Sequence, residues 1–224
     1  MSEQGISVVI RVKNEENYIG RCIQSCIDVL PKPINFVIVD NNSTDESINI
    51  AKMFKHDTSL PANQSYCDMD ICSISDYSPG AALNLGISKS SLPYIMVISS
   101  HCELLSFDHE ILNSVHRYAG IFGLQIPFYY GKRIKQNYIW SHYLDHDVVN
   151  MHSPLEDRFF FHNALALFSK DFLCSHPFDA ELVGKEDRYW AADVISGGHK
   201  TLYTPSLSAK HHYTPDGNTW KGIG

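Results

Sequence analysis

ISVVIRV at residues 6–12 decides the fold of this chain, together with NFVIVD at residues 35–40, which repeats its pattern. Both runs are rich in β-branched residues and almost continuously apolar, as strands buried on both faces are. Between them, apolar residues recur every three or four positions from Ile19 to Leu30, which predicts a helix that stops at Pro31. A strand, a helix and a second strand in this order indicate a parallel pair joined by a crossover helix.

The alternation of helices and strands continues beyond the second strand. Ser43, with Glu46 three residues later, has the capping-box pattern and predicts a second helix through about Phe54. A short helix over residues 81–87 and an apolar strand over residues 93–98 follow. We therefore expect an α/β fold whose central sheet is mainly parallel, with helices on both faces.

The second half of the chain has a less regular pattern. Its predicted elements are a helix over 108–118, a strand over 120–126, a polar and aromatic stretch over 128–158, a strand over 159–168, a helix within 182–196 and a strand over 200–203. The length of 224 residues suits one domain with one sizeable core.

Composition argues against several classes of protein. The formal net charge of −7 and the pI near 5.9 disfavour nucleic acid as the main partner, which needs a clustered basic face. The six cysteines have no C-x-x-C spacing and indicate reduced, buried thiols in a cytosolic protein. Because no apolar run approaches ~20 residues and residues 1–5 do not resemble a signal peptide, we expect a soluble or peripheral protein.

Polar residues follow three of the predicted strands, at residues 11–16, 40–42 and 99–103. Ligands of open α/β sheets bind at the carboxyl ends of the strands. We therefore predict a nucleotide-type crevice floored by Asp40, whose carboxylate can accept hydrogen bonds from a base or a ribose. The alternative is that Asp40 only caps the helix after it. The glycine-rich dinucleotide fingerprint and the Walker phosphate loop are both missing.

Five segments, taken in chain order, resemble motifs of the family 2 glycosyltransferases of the GT-A fold. They are SVVIRVKNEE at 7–16, FVIVDNNSTD at 36–45, GAALNLG at 80–86, GKED at 184–187 and SAKH at 208–211. The resemblance covers nearly the whole chain and implies a Rossmann-like three-layer sandwich in a single domain, residues 1–224. It divides this domain into a nucleotide-sugar-binding half at 1–107 and an acceptor-binding half at 108–224.

The resemblance implies an inverting enzyme that moves a sugar from a nucleotide-sugar donor. Asp187, with Glu186 beside it, matches the family's base, which removes the proton of the acceptor hydroxyl. By position alone, the same two acids also suit the first turn of a helix. Trp190 and Tyr130 are the expected acceptor contacts. The expected donor contacts are Ile10, Arg11, Val12, Asn14, Glu16, Asp40, Asn42, Gly80, Asn84, Ser99, Ser100 and His101.

The main departure from the family is SSHC at residues 99–102, where most relatives carry Asp-x-Asp for a divalent cation. It resembles a subgroup with this variant. Mn²⁺ or Mg²⁺ could still be held by His101 and His211. A zinc site with Cys102 and His212 as further ligands lacks the compact spacing of such sites. The metal-free alternative stabilises the leaving group through Lys132, Arg133, Lys135 or Lys210.

The leading functional hypothesis is sugar transfer to a saccharide or lipid-linked saccharide in surface polysaccharide biosynthesis. Such a protein would work in the cytoplasm, with peripheral association at the inner face of the membrane. Two alternatives stay open from the sequence. One is nucleotidyl transfer onto a sugar phosphate, and the other is a protein that binds a nucleotide sugar without catalysis.

Overall fold

One long sheet organises the chain in the computed structural model, which describes residues 5–55, 67–129, 131–134, 142–154 and 156–213. The strands are β1 Ile6–Val12, β2 Ile34–Asp40, β3 Asp68–Ser73, β4 Tyr94–Ile98, β5 Cys102–Phe107, β6 Gly120–Tyr129, β7 Lys132–Arg133, β8 Val148–Val149, β9 His152–Ser153, β10 Arg158–Phe159, β11 Leu165–Ser169 and β12 Thr201–His212. The helices are α1 Ile19–Val29, α2 Ser47–Lys52, α3 Pro79–Lys89, α4 Lys170–Ser175 and α5 Glu186–Ser196, with 3₁₀ segments at His109–Asn113 and Val115–Arg117.

The long sheet has the strand order β3-β2-β1-β4-β11-β6-β12-β5. Four of the seven neighbouring pairs in this order are parallel: β3–β2, β2–β1, β1–β4 and β6–β12. The carboxyl ends of β1, β2 and β4 therefore lie at one edge. Strand β11 runs antiparallel to β4, so its amino end lies at the same edge. The predicted α/β fold with a mainly parallel sheet is confirmed.

Hydrophobic residues are buried on both faces of the sheet. In β1, Val8 and Ile10 belong to the core under α1, whereas Val9 belongs to the core under α3. This alternation follows from the period of two along a strand. Helix α1 buries Ile19, Cys22, Ile23 and Cys26, and α3 buries Ala82, Leu83 and Ile87 among others. The structure thus has the three layers that were expected.

The capping box predicted at Ser43 is wrong. Helix α2 begins only at Ser47, and the Ser43 hydroxyl instead accepts a hydrogen bond from the Asn14 backbone N–H at 3.0 Å. The carboxylate of Asp45 serves the start of the helix, since it accepts from the N–H of Ser47 at 3.0 Å. The loop before α2 is therefore fastened to the loop after β1, which delays the helix.

Residues 108–118 form two 3₁₀ segments and not the predicted α-helix. The break falls at Ser114, whose hydroxyl donates to the carbonyl of Ile111 at 2.8 Å. A serine hydroxyl that bonds to the nearby backbone competes with continued helix formation. The predicted strand over 159–168 is also divided, because Phe159 pairs with His152 of β9 whereas β11 begins only at Leu165.

The last strand is much longer than the predicted 200–203. Strand β12 continues to His212 beside β6, with a register shift between Thr204 and Ser208. Its second half also pairs with β5, and this register places His211 opposite Cys102. The extension carries a histidine from near the end of the described chain to the carboxyl edge of the sheet.

Two expectations from composition concern the cysteines and membrane spans. All six cysteines are free thiols, but Cys72 is only half-buried and Cys174 is exposed, so burial holds for the other four. None of the helices in the described part of the chain has the length and apolarity to cross a bilayer.

Candidate active site

Two adjoining cavities lie at the carboxyl edge of β1 and β4. The larger has a volume of about 400 Å³ and the smaller about 180 Å³. Four residues line both cavities and form the boundary between them: Arg11, Tyr77, Ser99 and His101. Val12, Lys13, Glu15 and Ser100 line only the smaller cavity, whereas Glu186 and Asp187 line only the larger. The polar strand ends therefore lie on one side of this boundary and the acid pair on the other.

The acid pair lies in the first turn of α5. Gly184 and Lys185 have positive φ angles of 157° and 64°, so the chain turns sharply before the helix starts. Glu186 and Asp187 are both buried, with 6% and 8% of their surfaces exposed. Their carboxylates therefore lie in the wall of the cavity, where water screens them poorly.

Glu186 is held by two partners from distant parts of the chain. Its Oε1 accepts from Nη1 of Arg11 at 3.1 Å and from Nδ2 of Asn163 at 2.9 Å. The same Nη1 of Arg11 also donates to the carbonyl of Pro79 at 3.2 Å. This ion pair connects the ends of β1, α3 and α5 to the segment before β11. Glu186 is thus a paired counter-ion in the wall of the cavity.

Asp187 is a buried acid with fewer compensating partners. Its Oδ2 accepts from the backbone N–H of Asn163 at 3.3 Å, and its Oδ1 from that of Arg188 at 2.8 Å. Burial raises the pKa of Asp187 to about 6, and the neighbouring Glu186 charge adds to the effect. A carboxylate with this pKa is ionised at neutral pH and is a stronger base than an ordinary aspartate.

Two imidazoles meet beside the boundary of the cavities, which His101 lines and the buried His211 does not. Nε2 of His101 lies 3.1 Å from Nε2 of His211. Nδ1 of His101 lies 2.9 Å from Oε1 of Glu15, and Nδ1 of His211 lies 2.7 Å from Oε1 of Gln125. Burial lowers the pKa of His211 well below its usual value, which favours the neutral ring. Both rings therefore direct Nε2 to one point.

The two Nε2 atoms are hydrogen-bonded to each other, and a cation held by both rings would replace that contact. The described residues contain no group of three or more histidine, cysteine or acidic side chains arranged for a metal. His212 is bound to Glu103 at 2.9 Å, and burial keeps the pKa of the Cys102 thiol well above its usual value. The zinc site with Cys102 and His212 as ligands is accordingly not formed by these residues.

Asp40 and its neighbours hold the loop over residues 41–46. Asp40 is buried, and its Oδ1 accepts from the N–H of Ser43 at 3.0 Å. It closes a turn three residues ahead of the N-cap Glu46, so it does not cap α2. Its partner in the parallel register is Val12 of the smaller cavity. Asp40 is thus placed beside that cavity and is not among its described lining residues.

Three other residues predicted to contact the sugar donor form hydrogen bonds in the loops around Asp40. Oδ1 of Asn14 accepts from the N–H of Thr44 at 2.8 Å, and Oε2 of Glu16 from that of Glu46 at 3.1 Å. Nδ2 of Asn42 donates to the carbonyl of Ile74 at 3.4 Å. These contacts order the loops next to the smaller cavity, and among the described residues none of the three side chains lines it.

Gly80 and Asn84 of α3 contact the loop that precedes α5. A Cβ atom on Gly80 would lie 2.1 Å from the carbonyl oxygen of Asp179, so only glycine allows this approach. The amide of Asn84 donates to the carbonyl of Phe178 at 2.8 Å and accepts from its N–H at 3.0 Å. Both residues therefore secure helix packing behind the larger cavity. Ile10 is also wholly buried, in the core.

The structure corrects the expectation for Trp190 and gives no support to the cations proposed for the metal-free alternative. Trp190 is 4% exposed and packs among Phe161, Phe168 and Phe178, so its ring belongs to the core and lines neither of the two cavities. Tyr130 and Lys135 lie outside the described residues. Lys132 and Arg133 are exposed on β7, and Lys210 pairs with Glu103 at 3.0 Å. The cations that line the two cavities are instead Arg11, Lys13, Lys185 and Arg188.

Several cavity residues have no counterpart in the sequence-based prediction. Asn163 bonds to both acids, and His162 lines the larger cavity beside it. Burial lowers the pKa of His162 to about 3, with Arg188 and Arg11 contributing, so the ring is neutral. Both residues precede β11, whose amino end reaches the crevice because it runs antiparallel to β4. The sequence signal for these two residues was their position as a polar pair directly after the aromatic run 159–161.

Comparison with known proteins agrees with this architecture. The family described as Glycosyl transferase family 2 matches residues 7–176. "Glycosyltransferase GlyA" of Streptococcus pneumoniae is 32% identical over 95 residues, which is 42% of this chain and 12% of that protein. An uncharacterised glycosyltransferase of Haemophilus influenzae is 30% identical over 101 residues, 42% of this chain and 35% of that protein. The chain thus spans about a third or less of these relatives.

Solved structures share the fold at low sequence identity. S. aureus TarS residues 1–349 in complex with UDP has a TM-score of 0.69 at 15% identity, covering 96% of this chain and 61% of that one. GalNAc-T7 with UDP, GalNAc and Mn²⁺ has a TM-score of 0.72 at 16% identity, covering 96% and 45%. Because the family match covers most of the sequence and the architecture agrees, this chain belongs to glycosyl transferase family 2 and has the GT-A fold.

Proposed function

We propose that the protein transfers a sugar from a nucleotide-sugar donor to an acceptor hydroxyl, with inversion at the anomeric carbon. The observation that carries this proposal is Asp187, a buried carboxylate with a raised pKa in the wall of the larger cavity. The smaller cavity next to it has the polar strand ends where nucleotides bind in α/β sheets. Direct displacement needs a base and a pocket for the donor. The base lies in the wall of the larger cavity, and the smaller cavity is the donor-type pocket.

In this mechanism the donor occupies the smaller cavity and the acceptor the larger one. Asp187 takes the proton of the acceptor hydroxyl while the oxygen attacks the anomeric carbon. The new carbon–oxygen bond forms on the face opposite the bond to the phosphate, which breaks with its electron pair leaving on the nucleotide. Arg11 neutralises Glu186, so that Asp187 alone carries the uncompensated negative charge of the acid pair.

His101 and His211 would hold a divalent cation at the boundary of the cavities, where the phosphates of the donor are expected. When bound, such an ion supplies positive charge that stabilises the leaving nucleotide. The two Nε2 atoms are hydrogen-bonded to each other at 3.1 Å, and the ion would take the place of the proton between them. The remaining positions would be open to phosphate oxygens and water.

The structural neighbours support the choice of the donor class to test first. UDP is bound in the crystal structures of TarS and GalNAc-T7, which favours uridine nucleotide sugars for this chain. We propose a saccharide or lipid-linked saccharide of a surface polysaccharide as the acceptor. It would be met at the cytoplasmic face of the membrane, with the protein associated peripherally.

A panel of nucleotide sugars tests the proposal. A donor that binds the folded protein should raise its melting temperature, and the donors that do so are then incubated with saccharide acceptors. We expect release of the nucleoside phosphate and a product whose anomeric configuration, measured by NMR, is opposite to that of the donor. Release of pyrophosphate would indicate nucleotidyl transfer instead. Binding without either reaction would indicate a non-catalytic protein.

Activity should fall on the acid side of neutrality because Asp187 must be ionised to act as the base. Its pKa of about 6 lies above the usual aspartate value, so kcat/KM should be constant above about pH 7 and decrease below about pH 6. At pH 5 we expect a roughly tenfold loss, since about one site in ten then remains ionised. A kcat/KM profile that stays flat from pH 7 to pH 5 would contradict the assignment.

A further inference from the structure

We infer that His162 is a specificity-determining residue, whose Nε2–H donates a hydrogen bond to an acceptor-sugar oxygen next to the hydroxyl that reacts. The inference rests on the proposed function, in which the acceptor occupies the larger cavity and Asp187 takes the proton. It also defines the acceptor more narrowly. The acceptor must carry the attacking hydroxyl and a second oxygen beside it, as saccharides and other polyols do.

His162 borders the space in which the acceptor would bind. It lies between β10 and β11, is half-buried, and lines the larger cavity but not the smaller one. The next residue, Asn163, donates its backbone N–H to Oδ2 of Asp187 at 3.3 Å. The imidazole and the base therefore line the same cavity and are connected through a single residue.

The tautomer of His162 follows from a contact with its own backbone. Nδ1 accepts a hydrogen bond from the N–H of Ala164 at 3.2 Å. A backbone N–H can only donate, so this Nδ1 carries a lone pair and the ring hydrogen is on Nε2. Burial, together with the charges of Arg188 and Arg11, lowers the pKa of His162 to about 3, which keeps the ring neutral at physiological pH. Nε2 of His162 is therefore a hydrogen-bond donor and not a base.

This donor has no partner in the part of the chain that the structure describes. The hydrogen bond of His162 there is the one at Nδ1, and the His211 ring lies edge-on to it with 6.2 Å between the centroids. Nε2 is not among the fully buried polar atoms without a partner, so it is open to the cavity. A substrate that displaces water from this N–H must offer an acceptor in exchange, because an unpaired buried donor is costly.

A structural role alone accounts for only half of the side chain. The contact with the Ala164 N–H closes a turn of two residues, and the side-chain oxygen of an asparagine or aspartate closes such turns equally well. Those shorter side chains would place no N–H at the position of Nε2. Histidine thus adds to the cavity wall a donor that the turn does not need.

His162 and Asp187 have opposite hydrogen-bonding requirements. The ionised carboxylate can only accept, and Nε2–H can only donate. A hydroxyl that gives its proton to Asp187, with a neighbouring oxygen that accepts from His162, satisfies both groups. Adjacent hydroxyls of a sugar ring or a linear polyol supply this pair, whereas a simple alcohol supplies only the first member.

Two amide substitutions separate the roles of the two ring nitrogens. His162→Asn keeps an acceptor near Nδ1 and loses the donor at Nε2, so the acceptor KM should rise about 5- to 50-fold. The kcat and the donor KM should stay within about threefold, because a bond to a non-reacting oxygen contributes to uniform binding. His162→Gln keeps an N–H near Nε2 and should retain most of the affinity for the acceptor. A role in the turn alone predicts the reverse order of the two variants.

The acceptor probes are methyl glycosides of the saccharide that the panel identifies, intact and with single hydroxyls replaced by hydrogen. One deoxy probe should lose as much kcat/KM with the parent protein as the intact probe loses with His162→Asn. Parent and variant should use that one probe equally well, because each lacks one partner of the same bond. Hydrolysis of the donor by water, which has no second oxygen, should be equally fast in both. The control His116→Asn is exposed, lines neither cavity and should behave like the parent.

NMR of the ring nitrogens gives a readout that needs no substrate, and it should show hydrogen on Nε2 of His162. Hydrogen on Nδ1 would overturn the inference. So would an unchanged acceptor KM in His162→Asn, shown to be folded by its melting curve, or an effect of this variant that is the same with every deoxy probe. Absence of sugar transfer by the parent would overturn the proposed function and this inference with it, whereas transfer with an unchanged acceptor KM overturns the inference alone.

Discussion

Replacing Asp187 with asparagine should reduce kcat about 10²- to 10⁴-fold while leaving the affinity for the donor within about twofold. The magnitude is that of a positioned general base. The amide keeps the shape of the carboxylate, and its one oxygen can still accept from the N–H of Arg188, the shorter of the two contacts of Asp187. Because it cannot take a proton, the loss should fall on turnover. Calorimetric titration with donor and initial-rate kinetics measure the two quantities.

The control for Asp187→Asn is Asp193→Asn on the same helix. Asp193 is exposed on α5, six residues after Asp187, and lines neither cavity, so its replacement should leave kcat and donor affinity unchanged. The pH profile adds a further check, because the loss of activity below about pH 6 should disappear from the residual rate of Asp187→Asn. An Asp187→Asn protein that turns over like the parent would refute the base assignment.

Replacing Arg11 with methionine should destabilise the fold by about 3 kcal/mol, because it leaves the buried Glu186 without its cation. The two side chains are only 19% and 7% exposed, so water cannot replace the lost partner. For a chain of this length, a loss of this size lowers the melting temperature by roughly 6–12 °C. Thermal unfolding followed by circular dichroism measures the change.

A second substitution separates the lost charge pair from lost packing. In Arg11→Met/Glu186→Gln the side chain at 186 is neutral and can still accept from Nδ2 of Asn163, so at least half of the lost stability should return. Arg117→Met, at an exposed site, is the control and should change the stability by less than about 0.5 kcal/mol. If the double variant is as unstable as Arg11→Met, the loss does not come from an unpaired Glu186.

Local patterns predicted the first two strands of the chain well, but they predicted neither β3 nor β5. The strands at 6–12 and 35–40 are found within one residue of the predicted bounds, because continuous burial of β-branched residues is a property of neighbouring positions. The pattern was less informative at 108–118, where a single hydroxyl at Ser114 interrupts the helix. It also missed the length of β12, which depends on pairing with both β6 and β5.

The candidate site could be predicted in part. The acid pair at Glu186 and Asp187 and the histidine at 101 were recognised from ordered motifs, and all three line the larger cavity. Trp190 packs in the core and not at the cavity, because its ring meets Phe161, Phe168 and Phe178 from distant parts of the chain, which the motif does not record. Asn163 was missed because it precedes the amino end of β11. The search considered only the carboxyl ends of strands, where ligands of α/β sheets usually bind.

The sequence by itself determined how the main strands and helices alternate along the chain, the family, and which polar residues follow the strands. These depend on residues that are neighbours along the chain. Only the tertiary structure decided the partners: His101 meets Glu15 across 86 residues and His211 across 110, and Arg11 meets Glu186 across 175. Such contacts depend on strand order and register in the sheet, which no local pattern contains, and they set both the charge of the acid pair and the direction of the two imidazoles.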